Sequence, residues 1–343
     1  MKKAPDVSEL DLLDRQLVHA LMMDGRAPLN RLARVLNVTD RTVTSRYRRL
    51  RGRGILRVVG LPVSSRVGVE VTRLRIQCTP GNAEAIARAL AHRADTGWVK
   101  IYASGTEVVC TVRCEGIGTR ESLLLQKLLR ARQVTAVAAQ SVMQIYTPAQ
   151  GTWLDLNALD SDQVQTLQRA PSPAKEPVVL GDVDHALLAV LSRDGRAGYS
   201  ELAQAAGRSE STIRRRLDHL RRNGALTFEV EIVPSHFGLH TEAAIAACVA
   251  PHQLADTARA LAHDPEVTWA AATTGPTNLV ATVICHNREA LYAYLTDRIG
   301  ALKTINQLEI MPVLRHVKQL RLLTDGNRLH DRDRQSFRVT PDQ

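Results

Sequence analysis

The chain repeats itself, and the repeat limits what it can fold into. Moved along by 170 positions, the stretch from Asp14 to Leu56 falls on Asp184 to Leu226 without a gap. Leu17/Leu187, Leu21/Leu191, Leu32/Leu202, Ala33/Ala203, Thr42/Thr212, Arg46/Arg216, Leu50/Leu220 and Gly54/Gly224 recur, and Asp24-Gly25-Arg26-Ala27 returns as Asp194-Gly195-Arg196-Ala197. Register holds to Gly68/Gly238 and then slips by one residue, so that Arg88 to His92 matches Arg259 to His263 and Trp98 matches Trp269. A period this long marks a duplicated structural unit, not the short step of a solenoid. At 343 residues the chain can give each copy its own core. The copies are separated by Thr147 to Gly181, where Pro171, Pro173 and Pro177 are linker chemistry, since proline sustains neither a helix interior nor a central strand. A short helix near Ser161 to Leu167 interrupts that linker.

The first part of each unit reads as three helices. Leu10, Leu13, Leu17 and Leu21 recur at helical spacing and stop at Asp24-Gly25. Leu29, Leu32, Ala33 and Leu36 form the stripe of a second, short helix. After a break at Asn37-Val38, Thr39 is a good N-cap for a third, whose inward face is Val43, Tyr47 and Leu50. Copy two repeats this with Leu202 and Ala203, the break Gly207-Arg208, the cap Ser209, and Ile213, Leu217 and Leu220 inward. Outward on the third helix stand Arg41, Thr42, Ser45, Arg46, Arg48 and Arg49, and in copy two Ser211, Thr212, Arg214, Arg215, Arg216 and His219. A short helix, a tight turn and a second helix with arginines and hydroxyls outward is helix-turn-helix geometry, which places the second helix in the major groove of double-stranded DNA. Arginine forks onto guanine or phosphate, and serine or threonine reaches either. Arg41, Thr42, Ser45, Ser211, Thr212 and Arg215 lie early in their helices and suit base edges; Arg46 and Arg216, identical in the copies, suit a shared phosphate contact or an internal structural bond.

The second part of each unit is α+β. Strands are expected at Leu56 to Gly60 and Leu226 to Val233. Then come a strand at Val69 to Cys78, a helix at Ala83 to His92, strands at Trp98 to Ala103 and Val108 to Val112, a helix at Glu121 to Leu129 and a strand at Val134 to Tyr146. The order βαββαβ is ferredoxin-like, one antiparallel sheet with two helices on one face. Copy two has the same order from Glu242 to Arg315. The open face of such a sheet must be covered, which favours packing against the second copy.

Charge agrees with a polyanionic partner: 45 basic against 35 acidic residues give +10 and a pI near 9.7. No apolar run is long enough to span a membrane and no apolar stretch follows Met1 to Asp6, so the expected compartment is the cytoplasm. Cys78, Cys110, Cys114, Cys248 and Cys285 form no C-x-x-C pair and read as small hydrophobes in strands. Gly116-Ile117-Gly118 reads as a strand-to-helix turn, and His236 and His240 as surface histidines. No cofactor or metal is expected, and no nucleophile or acid–base motif suggests an enzyme.

The pattern Leu10-Asp11-x-x-Asp14, Asp24-Gly25-Arg26, Leu32-Ala33-x-x-Leu36, Thr42-Val43-x-x-Arg46-x-x-x-Leu50-x-x-x-Gly54-Ile55-Leu56 and Gly68 resembles the Lrp/AsnC (feast/famine) transcriptional regulators, and copy two repeats it. The resemblance implies a DNA-reading domain followed by a ferredoxin-like domain that senses amino acids or related small molecules and dimerises through its sheet. The domains are expected at 1–60, 61–147, 182–228 and 229–323, with 148–181 as linker, and 324–343, polar and charged without an apolar period, as a disordered basic tail. The resemblance implies that the two sensing domains pair within the chain, with further homo-oligomerisation. The family usually has one copy per chain and a Gly-x-x-Asp turn after the second strand of the sensing domain. Here Gly105 leads to Val108 and Gly275 to Asn278, and the turns Gly105-Thr106-Glu107 and Gly275-Pro276-Thr277-Asn278 are the candidate effector positions. Two other readings compete. Siroheme decarboxylases are similar to this family, but Trp98 to Tyr102 and Trp269 to Thr273 hold no histidine of their kind. An architectural DNA-binding protein would lack strong sequence choice.

Overall fold

The computed structural model describes residues 10–102, 104–115, 127–128, 130–146, 156, 158–168, 177–320, 322–325 and 328–330. Copy one runs α1 (Leu12–Met23), α2 (Leu29–Val35), α3 (Asp40–Gly52), β1 (Leu56–Pro62), α4 (Ser64–Val67), β2 (Val69–Cys78), α5 (Ala83–Ala91), β3 (Thr96–Tyr102), β4 (Glu107–Glu115) and β5 (Val134–Tyr146). After α6 (Ser161–Leu167), copy two runs α7 (Asp182–Leu191), α8 (Tyr199–Ala206), α9 (Glu210–Arg222), β6 (Leu226–Ile232), β7 (Thr241–Val249), α10 (Leu254–Ala262), β8 (Val267–Thr273), β9 (Leu279–Cys285), α11 (Arg288–Ala293) and β10 (Ile305–Lys318). A hairpin, β11 (Leu323–Asp325) and β12 (Arg328–His330), follows. The helix expected at Glu121 to Leu129, the Gly116 turn and the Cys114 side chain lie outside the described residues, except that Lys127 and Leu128 are helical.

Both sheets have the ferredoxin-like order, β5-β2-β4-β3 and β10-β7-β9-β8, all neighbours antiparallel. The last strand of each copy is long and serves both sheets. β5 pairs with β2 through Val134 to Ser141 and with β8 through Val142 to Tyr146. β10 pairs with β7 through Ile305 to Pro312 and with β3 through Val313 to Lys318. Eight strands thereby close into one ring. Its outer face packs on the helices: Leu74, Ile76, Val108 and Cys110 meet Ala87 and Leu90 of α5, and Ile245, Ala281 and Val283 meet Ala258 and Leu261 of α10. Alternate residues face the interior of the ring, where Tyr102, Val109, Ala244, Ala246 and Met311 cluster. Burial pushes the Cys110 thiol up to about 12 and the Cys285 thiol up to about 11, so both behave as apolar side chains.

The helix expected within the linker is present at Ser161–Leu167, and one expectation, that of a tail disordered from Thr324 onward, is corrected. The linker is partly built into the protein. Helix α6 carries an Asp160–Gln163 capping box and buries Leu167 with Leu156 and Leu159 on the first three-helix core, while its Gln163 Nε2 donates to Val35 O at 2.9 Å. That contact satisfies a carbonyl at the end of α2, a group no intrahelical donor reaches. The start of the tail is also ordered. Leu329 is 2% exposed against Val59 and Leu61, and its amide donates to Gly54 O at 2.8 Å. Gly54 sits at φ 69, a region glycine enters freely, and a Cβ there would lie 2.8 Å from Leu329 O.

Candidate nucleic-acid interface

Each recognition helix begins at a hydroxyl cap. Thr39 Oγ1 accepts from Thr42 N at 3.2 Å, and Ser209 Oγ accepts from Thr212 N at 3.3 Å. The turn before each helix uses a left-handed residue, Asn37 at φ 53 and Gly207 at φ 60. Val43, Tyr47 and Leu50 of α3, and Ile213, Leu217 and Leu220 of α9, are buried as expected. The opposite faces are open. Arg41, Ser45, Arg48 and Arg49 are exposed in copy one, and Ser211, Arg214 and Arg215 in copy two; Thr42 and Thr212 are half-buried beside their caps. Arg214 stacks on the Tyr199 ring, 4.1 Å from its centroid.

Three of the expected DNA contacts are engaged inside their own domain. Arg46 Nη1 donates to Asp14 Oδ1 at 2.9 Å and also reaches Asp11, while Arg49 Nη2 donates to Asp14 Oδ2. Arg216 forks onto Asp184, Nε to Oδ1 and Nη2 to Oδ2, both at 2.7 Å. Asp14 and Asp184 are 1% and 2% exposed. Burial alone would raise the Asp184 carboxyl, but the Arg216 fork and the Gly181 amide outweigh it and hold it below the usual carboxylate range. Between the two roles open to Arg46 and Arg216, the geometry supplies the internal bond. Each ties the recognition helix to the first helix of its domain.

The two domains are locked together by a reciprocal contact that the repeated tetrapeptide foreshadows. Strands β1 and β6 pair antiparallel, Leu56 opposite Ile232 and Pro62 opposite Leu226. Arg26 donates to the carbonyls of Gly195 and Ala197, and Arg196 donates to those of Gly25 and Ala27, at 2.5–2.9 Å. Arg51 pairs with Asp194 and Arg221 with Asp24. The Arg26 guanidinium also lies over Tyr199, and that of Arg196 over Tyr47. A Cβ on Gly195 would lie 2.8 Å from the backbone carbon of Val59, so only glycine lets the turn rest on the strand. The four arginine–carbonyl bonds and the two ion pairs are repeated about a pseudo-twofold axis. The two recognition helices therefore have one fixed relation, although their outward residues differ.

Of the two candidate effector turns, that at Gly275 is occupied from within, while the space beside Gly105 is open. Gln140 on β5 reaches into the Gly275 turn, its Nε2 3.1 Å from the carbonyls of both Thr274 and Thr277. Asn278 bonds both backbone groups of Val249. In copy one, Glu107 accepts two bonds from Arg75, which also reaches Glu309 on β10. Gly105 donates to Tyr102 O, and Thr106 O accepts from Cys78 N. The Gly275 turn thus meets the last strand of copy one directly, and the Gly105 turn is tied to that of copy two through Arg75, a consequence of ring closure that no single unit reveals. Among the described residues no cluster of three metal-ligating side chains occurs.

Comparison with known proteins agrees with this geometry. The model of the AsnC-type helix-turn-helix domain matches residues 10–51 and 180–221, and that of the Lrp/AsnC ligand binding domain matches 242–323. An uncharacterized HTH-type transcriptional regulator of Pyrococcus furiosus is 32% identical over 132 residues, 38% of this chain and 89% of the relative. The HTH-type transcriptional regulator FL11 of Pyrococcus horikoshii is 31% identical over 143 residues, 41% of this chain and 94% of the relative. Among solved structures, the siroheme decarboxylase NirDL aligns over 90% of this chain and 93% of its own at a TM-score of 0.62. At 14% identity that likeness concerns the fold alone.

Proposed function

This chain belongs to the Lrp/AsnC family of transcriptional regulators, and from that premise we propose that it reads an asymmetric DNA site with two unlike recognition helices carried on one polypeptide. The observation that carries the reading is the reciprocal Arg26/Arg196 lock, which fixes both helix-turn-helix domains as a pair. A symmetric dimer reads a palindrome because its halves are identical. Here Arg41 faces the position of Ser211, Thr44 that of Arg214, Ser45 that of Arg215 and Arg49 that of His219, so the half-sites differ. Arg41, Thr42, Ser45, Ser211, Thr212, Arg214 and Arg215 contact the duplex, the hydroxyls and Arg215 early in each helix and Arg48 nearer the backbone. Met143 and Leu314, equivalent in the two copies, are exposed at 58% and 63% on β5 and β10 and supply an apolar surface for further self-association.

The test is a footprint followed by gel-shift titration on three duplexes: the natural site, and palindromes of its left and right halves. The natural site is expected to bind at least about tenfold more tightly than either palindrome, each mismatched base pair costing about 1–3 kcal/mol. Equal affinity for one palindrome would refute the asymmetric reading. Equal affinity for random DNA would favour the architectural alternative.

A further inference from the structure

The closed ring surrounds a cavity of about 360 Å³ between the two sheets, partly open to solvent and roofed by Met22 and by Phe228 to Ile232 of β6. Eight-stranded rings are just wide enough to be filled by side chains or to hold one small ligand. This one is not filled. Its symmetric part is apolar or neutral: Trp98/Trp269, Val109/Val280 and Thr111/Thr282 occupy equivalent places in the two copies.

Its charged part breaks the repeat everywhere. Arg73 faces the place of Ala244, Lys100 that of Ala271, and Arg113 that of Ile284. Glu242 stands where copy one has Val71, and His316 where it has Ile145. On the roof, Glu229 and Glu231 stand where β1 has Val59 and Leu61. A duplicated core drifts toward other apolar residues of similar volume, because buried charges are costly unless paired. A full set of charges placed on one side only is the mark of a built, polar half-chamber.

Most of these charges are matched. Glu242 accepts from Lys100 Nζ at 2.7 Å and lies 2.6 Å from His316 Nε2. Arg113 sits in the field of Glu229 and Glu231. Arg73 is different. It is 3% exposed; its Nη1 donates to Gln140 Oε1 at 2.7 Å and the Tyr102 hydroxyl lies beside it, both neutral groups, while Nη2 has no hydrogen-bond partner among the described residues. A buried guanidinium hydrogen left without an acceptor costs free energy, and a carboxylate is the group that best fits it. Beside it the chain bulges between Gly97 and Lys100, and Trp98 adopts φ 52, a left-handed conformation costly for a bulky residue. That bulge delivers the Trp98 ring to the cavity, 5.3 Å from Lys100 Nζ.

We propose that the ring interior is a binding chamber for one small monocarboxylate with an apolar or aromatic body, its carboxylate on Arg73 and its body between Trp98 and Trp269. Glu229, Glu231 and Glu242 already match Arg113, Lys100 and His316, which leaves Arg73 to take a single negative charge. The roof is the strand that pairs the two helix-turn-helix domains, so occupancy bears on how those domains sit over the ring. In that respect the chamber deepens the regulator reading and rests on it, as an effector site distinct from the Gly105 and Gly275 turns.

The experiment titrates the full chain with 3-phenylpropanoate and, separately, with its neutral amide, following tryptophan fluorescence and calorimetry. Two of the three tryptophans line the chamber, so binding quenches or shifts their emission. The acid is expected to bind saturably, with a Kd of about 1 mM or tighter and at least about tenfold ahead of the amide, a charge-assisted bond being the difference. Arg73→Met is expected to abolish that preference; if this variant does not fold by circular dichroism, the acid-to-amide ratio on the unaltered chain decides. Equal binding of acid and amide, no binding of either to about 10 mM, or binding of an iron porphyrin polycarboxylate in place of the acid would overturn the proposal. Gel shifts run in parallel separate the two readings: loss of specific DNA retention with acid binding intact sinks the regulator reading and leaves the chamber.

Discussion

Replacing Arg216 separates a structural arginine from a DNA-reading one. Arg216→Ala removes both hydrogen bonds to Asp184 and leaves a carboxylate 2% exposed without its cation. Breaking a buried pair by removing one partner costs about 3–5 kcal/mol. The Arg216 side chain is 31% exposed, so water reaches part of the vacated space and the expected loss is about 2–3 kcal/mol. Adding Asp184→Asn removes the uncompensated charge and should recover about half of it. Urea unfolding followed by circular dichroism reads this directly, as a lower midpoint in the single variant and a partial return in the double. The second arm is the salt dependence of DNA binding. Each phosphate contact contributes about 0.9 to the slope of log K against log salt. Arg216→Ala should leave the slope unchanged at temperatures where the domain is folded, whereas Arg48→Ala, on the exposed face nearer the backbone, should lower it by about 0.9. A slope lowered by the Arg216 change while Arg48 proves silent would refute the division of roles drawn from the ion pairs.

Three other outcomes are expected. Gly195→Ala places a Cβ 2.8 Å from the backbone of Val59, and the overpacking should lower stability by about 1–3 kcal/mol in thermal unfolding, whereas Gly198→Ala, with open space around it, should change little. Leu167→Asp buries a charge in the first three-helix core and should expose that domain to protease while copy two stays resistant, a difference visible by limited proteolysis and mass spectrometry. Burial alone would raise the Glu242 carboxyl, but His316 and Lys100 outweigh it and hold it far below its usual 4.5. A depressed carboxylate stabilises fully above its unfolded value and loses that contribution as pH falls, so the wild type should lose stability below about pH 4.5 more steeply than Glu242→Gln. Parallel acid titrations would contradict this.

What the sequence made legible was local. The caps at Thr39 and Ser209, the inward stripes of α3 and α9, and the strand at Val134 to Tyr146 all follow from spacing over a few residues. What it hid was the partner of each group across long separations. The Arg46 and Arg216 bonds were within reach: Asp14 and Asp184 recur in both copies at the same 32-residue distance from their arginines. An opposite charge kept in step through a duplication signals a structural pair. Gln140 in the Gly275 turn, 134 residues from Thr274, left no such trace, because its equivalent in copy two is a different residue. Leu329 was lost in a polar tail for a simpler reason: one apolar residue among charges carries no periodicity, although it buries fully on Val59 and Leu61.

The order of synthesis gives the ring a consequence of its own. Its closing member, β10, leaves the ribosome after every other strand of the ring, yet it supplies the neighbour of β3 in copy one and of β7 in copy two. Until then both margins offer unsatisfied amides and carbonyls, the state in which nascent chains pair with the wrong neighbour. A chain halted before Ile305 would therefore be a sticky intermediate rather than a smaller regulator, and crowded polysomes would be the place where two molecules trade their final strands.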